Sequence, residues 1–334
     1  SPVPGATNSF LSLTNVSASN AGTYTVAITS TAATATSDPA TLVLSNTPTR
    51  LANISTRGVT SGGANVLIGG FVVTGTAAQT RQMLIRVVGP TLGGAPFNVA
   101  GTLANPSLEL FAGNNRNPVL ANDNWGTQAA GPAQVTAIQQ AAARAAAFAL
   151  PLSSSDAVVL ATLVPGPYTV MATIPAATPP ASGVVLIEVY DVTQGGAAGP
   201  KAANVSTRGF VGTGTNSLIA GFVVSGGVSR RLLIRGAGPT LARFGVPGVL
   251  ADPQITLVAQ ATGQILRTND NWASGEDASV VAAAAATAGA FPFASGSRDA
   301  AMIIMLEPGA YTVQLSGVGN TTGVGIVEVY DVDP

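Results

Sequence analysis

The chain has 334 residues, only 9% of them charged, with a formal net charge of −1, no cysteine and no histidine. These counts exclude disulfide bonds, catalysis by Ser-His-Asp or Cys-His groups, and metal sites built from thiolates or imidazoles. Without a basic stripe no nucleic-acid partner is expected, and no membrane insertion is expected because the longest Ala-rich run, residues 280–294, is shorter than the ~20 apolar residues of a membrane-spanning helix.

Residues 1–46 are predicted to form the C-terminal half of an immunoglobulin-like domain. The segment Ser-Asn-Ala-Gly-Thr-Tyr-Thr-Val at residues 19–26 resembles the D-x-G-x-Y-x-C signature of that fold. Tyr24 takes the place of the signature tyrosine, whose hydroxyl closes the corner between strands E and F. Strands E, F and G are predicted at residues 9–16, 23–29 and 40–44.

Three strands are too few for an immunoglobulin-like domain, which has at least seven strands in about 100 residues. Their apolar face has no predicted facing sheet, and their edges are open. One interpretation is that the missing half lies upstream in a longer protein. The other is that residues 1–46 insert into a neighbouring copy by strand addition and so build a fibre.

Residues 47–193 and 201–334 are two copies of one sequence, separated by a Gly- and Ala-rich linker at 194–200. Three motifs return in the second copy: Asn53-Ile-Ser-Thr-Arg-Gly58 as Asn204-Val-Ser-Thr-Arg-Gly209, Asn122-Asp-Asn-Trp125 as Asn269-Asp-Asn-Trp272, and Glu188-Val-Tyr-Asp191 as Glu328-Val-Tyr-Asp331. The period exceeds the ~20–50 residues of solenoid and propeller repeats, so each copy is predicted to be a whole domain.

Each copy is predicted to contain several short strands and one short Ala-rich helix. The strands are predicted at residues 66–73, 82–88, 107–112, 158–163, 168–174 and 184–190, and again at 217–224, 231–235, 254–259, 301–306, 311–316 and 325–330. The helices are predicted over residues 132–148 and 276–288. The chain is therefore predicted to be all-β, with a partial immunoglobulin-like segment followed by two tandem jelly-roll-like β-sandwich domains.

Charged residues recur at matching places in the two copies. Arg86 and Glu188, like Arg235 and Glu328, fall within apolar strands, where an unpaired buried charge costs several kcal/mol. We therefore predict the structural ion pairs Arg86–Glu188 and Arg235–Glu328. Carboxylate-pair hydrolysis is not expected, since Glu188 and Asp191 are three residues apart on one strand and point to opposite faces.

The two Asn-Asp-Asn-Trp motifs have three interpretations. Asp123 and Asp270 are weak candidates for Ca²⁺ ligands, although each loop supplies a single carboxylate. Trp125 and Trp272 are candidates for exposed, ligand-facing aromatic rings that stack on sugars. The third interpretation is an Asx-turn whose tryptophan anchors the loop on the core.

Residues 51–193 and 201–333 resemble a repeat of very large bacterial cell-surface proteins. In that repeat, which follows immunoglobulin-like domains, the motifs S-T-R-G, L-I-R-x-x-G-P-T-L, N-D-N-W, P-G-x-Y-T and V-E-V-Y-D occur in this order. The resemblance implies an extracellular or cell-surface location in a bacterium and no defined activity.

The sequence therefore predicts a non-enzymatic extracellular structural protein without a cofactor. We expect a self-assembling fibre or surface-layer subunit that contacts other copies of itself through residues 1–46 and the sandwich faces. One alternative is an adhesin stalk or carbohydrate-binding module that contacts cell-surface polysaccharide. Another is an accessory domain of an enzyme.

Overall fold

The computed structural model describes residues 2–4, 6–7, 11, 13, 16–42, 50–76, 79–175, 182–193, 202–274 and 278–333. The chain divides into two compact units, Ser1–Pro48 and Thr49–Pro334. The first boundary therefore lies close to the one predicted after residue 46.

The first unit contains a hairpin built from four short antiparallel strands. β1 (Gly22–Tyr24) pairs with β4 (Ala40–Leu42), and β2 (Ala27–Thr29) pairs with β3 (Thr34–Thr36). Between the two pairings, the Val26 N–H donates to Ser37 Oγ at 2.9 Å, so the hairpin continues across the interruption.

Tyr24 forms the corner that its position in the sequence predicts. Its hydroxyl donates to the carbonyl oxygen of Asn20 at 2.7 Å. Ala18–Asn20 forms a short 3₁₀ helix before β1. Most of the predicted strand E, residues 9–16, lies outside the described residues, as do residues 43–44 of predicted strand G.

The described residues of the second unit form sixteen strands, eight from each copy of the repeat. In repeat 1 they are β5 (Arg50–Thr60), β6 (Leu67–Val73), β7 (Arg81–Val88), β8 (Ser107–Ala112), β9 (Leu120–Asn122), β10 (Ala157–Leu163), β11 (Gly166–Thr173) and β12 (Gly183–Asp191). In repeat 2 they are β13 (Ala202–Val211), β14 (Leu218–Ser225), β15 (Arg230–Ala237), β16 (Pro253–Ala259), β17 (Gln264–Asn269), β18 (Ala300–Leu306), β19 (Gly309–Gly317) and β20 (Gly323–Asp331).

Within the ranges that the structure describes, the helices are few and short. The α-helices are α1 (Pro90–Gly93), α2 (Pro132–Arg144) and α3 (Ala278–Thr287), and 3₁₀ helices occupy Gly63–Asn65, Gly214–Asn216, Pro239–Phe244 and Val318–Asn320. Pro132 opens α2 at the first helical position, where its missing N–H costs no hydrogen bond. None of the described helices is both long and apolar enough to cross a membrane.

Each repeat has the antiparallel strand order of a jelly roll. In repeat 1 one sheet runs β5-β12-β7-β10 and the other runs β6-β11-β8-β9. Repeat 2 has the same order in β13-β20-β15-β18 and β14-β19-β16-β17. The predicted all-β sandwich fold is confirmed.

The two jelly rolls are joined through both of their sheets. β5 of repeat 1 pairs with β14 of repeat 2, and β13 of repeat 2 pairs with β6 of repeat 1. The pairing is reciprocal, because Arg57 lies opposite Ile219 and Arg208 lies opposite Ile68. Each repeat therefore supplies half of two long sheets of eight strands.

The strand pairing between the repeats changes the predicted domain organisation. The repeats at 47–193 and 201–334 remain recognisable as two jelly rolls, but residues 49–334 form one compact unit instead of two. The reason is that strands next to the junction find their hydrogen-bonding partners in the other repeat. The predicted linker at 194–200 lies outside the described residues.

Small side chains fill the junction between the repeats. The hydroxyls of Thr56 and Thr207, both buried, are hydrogen bonded to each other at 2.5 Å. A Cβ atom on Gly58 would lie 2.8 Å from Leu218 Cδ1 and 2.9 Å from Leu67 Cδ1. A single cluster of buried apolar side chains contains residues of both repeats, so the core is continuous through the unit.

Candidate functional site

Arg86 and Glu188 form a buried ion pair on neighbouring strands of repeat 1. They lie opposite each other in the β7–β12 register. Arg86 Nε donates to Glu188 Oε2 at 2.8 Å, and Arg86 Nη2 lies 2.7 Å from the same oxygen. The Tyr190 hydroxyl donates to Glu188 Oε1 at 2.6 Å, which gives the second carboxylate oxygen a donor.

Arg86 also holds the segment that follows helix α2. Its Nη1 donates to the carbonyl oxygen of Phe148 at 2.7 Å, and its guanidinium carbon lies 4.2 Å from the centre of the Phe148 ring. A buried arginine can donate up to five hydrogen bonds and can stack on an aromatic face. Arg86 therefore ties two strands and a loop together.

Repeat 2 contains the same pair in a looser geometry. Arg235 Nη1 lies 3.4 Å from Glu328 Oε2, and Arg235 Nη2 donates to the Phe291 carbonyl at 2.8 Å. Burial raises the pKa of Glu328; the charge of Arg235 and a hydrogen bond from Tyr330 act in the opposite direction with smaller effect. Both predicted ion pairs are present, with different geometries.

The raised pKa of Glu328 predicts a pH-dependent contribution to stability. A proton on Glu328 favours the folded state, so this contribution is fully present below the ordinary pKa of the side chain and is lost as pH rises through the raised value. Because glutamine stays neutral at every pH, the Tm of the wild type minus that of Glu328→Gln should fall from acidic to neutral pH. Thermal unfolding followed by circular dichroism across this range is the measurement, and a wild-type Tm that rises relative to the variant's as pH increases contradicts the prediction.

Two buried aspartates that recur in the repeats fasten the loops that follow β7 and β15. Asp156 Oδ1 accepts the Gly89 N–H at 2.8 Å, and its Oδ2 accepts the Thr91 hydroxyl. Asp299 accepts the equivalent N–H of Gly238 at 2.8 Å. The two aspartates recur in the two repeats, but the sequence did not reveal that each accepts a backbone N–H as well as a threonine hydroxyl.

Gly89 is required where this loop passes close to another. A Cβ atom there would overlap the carbonyl oxygen of Leu103, a backbone atom that cannot move aside cheaply. We expect Gly89→Ala to lower the free energy of unfolding by about 3 kcal/mol, as overpacking does at its upper end. Gly94→Ala is the matched control, because its Cβ would lie 3.8 Å from the Thr91 carbonyl oxygen. Urea unfolding compares the two, and equal effects contradict the prediction.

Another arginine and another aspartate that recur in the two repeats hold the ends of strands. Arg81 Nη1 lies 3.5 Å from Asp191 Oδ2, and Arg230 Nε lies 3.7 Å from Asp331 Oδ2. These pairs connect the first residue of β7 or β15 to the last residue of β12 or β20. The charges that the repeats share thus serve largely to connect elements of the fold.

The Asn-Asp-Asn-Trp loops join the two sheets at the outer edge of each sandwich. Asn122 Oδ1 accepts the N–H of Val158 at 2.9 Å, and Asn269 Oδ1 accepts the N–H of Ala301 at 3.0 Å. Each asparagine therefore links the end of β9 or β17 to the edge strand β10 or β18. The Asx interpretation predicted a local turn, and the asparagines also make this longer connection.

Calcium binding at Asp123 and Asp270 stays a prediction. Asp123 is exposed and Asp270 is half-buried. Within the part of the chain that the structure describes, no group of three or more acidic side chains is placed to share a metal ion. The neighbouring asparagines already use their side-chain oxygens on backbone donors.

The prediction of exposed tryptophan rings is wrong. Trp125 is 2% exposed and Trp272 is 8% exposed, because the segments around α2 and α3 cover them. Trp125 Nε1 donates to the Pro151 carbonyl at 2.9 Å, so its polar edge is also used inside the protein. The rings anchor their loops, as the third interpretation predicted.

Each tryptophan lines a cavity between the Ala-rich helix and the sheet beneath it. We call these the repeat-1 cavity, of about 280 Å³, and the repeat-2 cavity, of about 200 Å³. Arg86 lies in the wall of the first and Arg235 in the wall of the second. Neither cavity was predicted from the sequence; the long alanine runs of helices α2 and α3 were the signal that space remains there.

The Pro-Gly-x-Tyr-Thr-Val segments contain a second kind of tyrosine corner. The Tyr168 hydroxyl donates to the Val164 carbonyl at 2.9 Å, and Tyr311 donates to the Glu307 carbonyl at 2.8 Å. Burial raises the pKa of both phenols.

Compared with protein-family models and with curated proteins, the chain has no match.

Proposed function

We propose that the chain is a non-enzymatic structural protein of the bacterial exterior, a fibre or surface-layer subunit that assembles with other copies of itself. The observation that carries the proposal is the open apolar side of the first unit. Val26 is 61% exposed and Ile28 is 70% exposed. No described residue of this unit is buried.

Strand addition by another copy would supply what this hairpin lacks. Its strands are three residues long, and an isolated two-stranded hairpin is marginally stable in water. Burying a side chain such as Ile28 stabilises by about 1.5–3 kcal/mol. Assembly would also cover unpaired strand edges, which otherwise invite uncontrolled pairing.

The architecture of the repeats supports a mechanical role. Their sheets continue from one repeat into the other, and the ion pairs that both repeats share connect strands inside the unit. The resemblance to bacterial surface repeats supports an extracellular location. The carbohydrate-binding alternative loses its main support, because Trp125 and Trp272 are buried.

Electron microscopy and light scattering test the proposal on the full chain and on a chain lacking residues 1–46. We expect filaments or ordered layers from the full chain and monomers after the deletion. The double variant Val26→Ser/Ile28→Ser should have the same effect as the deletion. Leu152→Ser, which removes an exposed apolar side chain from repeat 1, is the control and should still assemble. Monomers of the full chain would overturn the proposal.

A further inference from the structure

The repeat-1 and repeat-2 cavities differ at one informative position. The numbering offset that aligns Phe148 with Phe291 and Asp156 with Asp299 also aligns Leu150 with Phe293. Both side chains lie in their cavity walls. The smaller cavity is the one that contains the phenylalanine.

In repeat 2, Phe293 covers the buried arginine. Its ring centre lies 4.0 Å from the guanidinium carbon of Arg235, and it meets the Trp272 ring edge-on at 6.1 Å between centres. Phe291 lies 4.4 Å from the same guanidinium carbon. Arg235 thus contacts two aromatic rings.

In repeat 1, one of these two rings is missing. Among the described residues, Phe148 is the one aromatic ring that contacts the guanidinium of Arg86. Where repeat 2 places Phe293, repeat 1 has Leu150 and the larger cavity, which Arg86 and Trp125 both line. The rest of the aromatic cluster is shared, since Phe97 packs on Phe148 as Phe244 packs on Phe291.

We propose that the repeat-1 cavity binds a small, uncharged planar aromatic molecule, which stacks on Arg86 as Phe293 stacks on Arg235. A cation beside an aromatic face is attracted by the ring quadrupole, most strongly where water is excluded. Arg86 is buried and most of the remaining wall is apolar, so an aromatic ring that fills the cavity would displace water from the guanidinium face.

Charge and size define the ligand class. Glu188 neutralises Arg86 at 2.7 Å, so the site favours an uncharged ring over a carboxylate. An apolar protein cavity of about 150 Å³ accepts benzene, and the repeat-1 cavity of about 280 Å³ leaves room for one substituted ring. Gln139, Ala143 and Ala149 in its wall are exposed and mark the entrance.

Phenol and cyclohexanol are the matched probes, because they share a ring size and a hydroxyl group and differ in aromaticity. Titration calorimetry and thermal shift on the full chain should show one saturable phenol site. Cyclohexanol should bind about tenfold more weakly, since it lacks the attraction between ring and cation. Leu150→Phe, which installs the residue of repeat 2, should abolish phenol binding, and Phe293→Leu should add a second site.

Ala142→Met fills the cavity from the helix side and is a second blocking variant in case Leu150→Phe does not fold. Three results would overturn the proposal: no saturable phenol binding, phenol binding that survives both blocking variants, or equal affinity for cyclohexanol. If Phe293→Leu does not fold, the blocking variants and the probe pair decide the matter alone.

Discussion

Residues 49–193 and 201–334, produced as separate chains, are each expected to form dimers instead of stable monomers. Separation removes one of the two partner strands of β5 and β6 in one repeat, and of β13 and β14 in the other. The strand edges that separation exposes lie beside a continuous core, so a monomer would expose both unpaired backbone groups and apolar side chains.

Each separated repeat can pair with a second copy of itself because the junction is nearly the same from both sides. Thr56 faces Thr207, and Gly58 packs on Leu218 as Gly209 packs on Leu67. In a homodimer, one twofold axis would reproduce these contacts with identical residues. Mixing the two repeats should yield a heterodimer with the pairing of the intact chain.

Light scattering and urea unfolding at several protein concentrations measure this prediction. The midpoint should rise with concentration for the separated repeats and stay constant for residues 49–334. Cleaving residues 49–334 between the repeats is the control, since the two pieces should remain associated. Concentration-independent monomers of either repeat would contradict the prediction.

Arg86→Met is expected to lower the free energy of unfolding by about 3–5 kcal/mol, because the buried Glu188 carboxyl would lose its ion-pair and hydrogen-bond partner. Arg298→Met is the matched control. Arg298 Nη1 lies 2.8 Å from Asp252 Oδ2, but the arginine is exposed, and such pairs contribute about 0–1 kcal/mol. Urea unfolding of both variants gives the comparison.

The double variant Arg86→Met/Glu188→Gln separates loss of the ion pair from loss of packing. Glutamine replaces the ionisable carboxyl that has lost its partner and keeps an acceptor for the Tyr190 hydroxyl, so the double variant should regain more than half of the lost stability. A double variant as unstable as the sum of the two single variants would show that the residues act independently.

In the repeats, the sequence predicted the strands with apolar buried faces and missed four others. β8 occupies Ser107–Ala112, the range that was predicted, whereas β5, β9, β13 and β17 were not predicted as strands. β9 and β17 are largely exposed edge strands without an apolar face to reveal them. In β5 the buried residues include Thr56, Gly58 and Thr60, which composition alone assigns to turns as readily as to strands. Their small size became intelligible only with the other repeat packed against them.

The ion pairs were predictable because a charge within an apolar strand requires a partner, and duplication showed which charges recur. The roles of Asp156 and Asp299 were not, since their main-chain donors leave no pattern in the sequence. The two tryptophans were misjudged in one interpretation because a motif shows nothing about the helix that covers it. Pairing between the repeats depends on contacts about 150 residues apart, which a local pattern does not encode.

The positions of the first and last strands of the second unit along the chain determine how it responds to tension. β5, which begins the unit, lies between β12 and β14, and β20, which ends it, lies between β13 and β15. A pulling force transmitted along the chain therefore enters through strands that are bonded on both sides. Such strands must be sheared out with many hydrogen bonds loaded together, instead of being unzipped one bond at a time from a free edge.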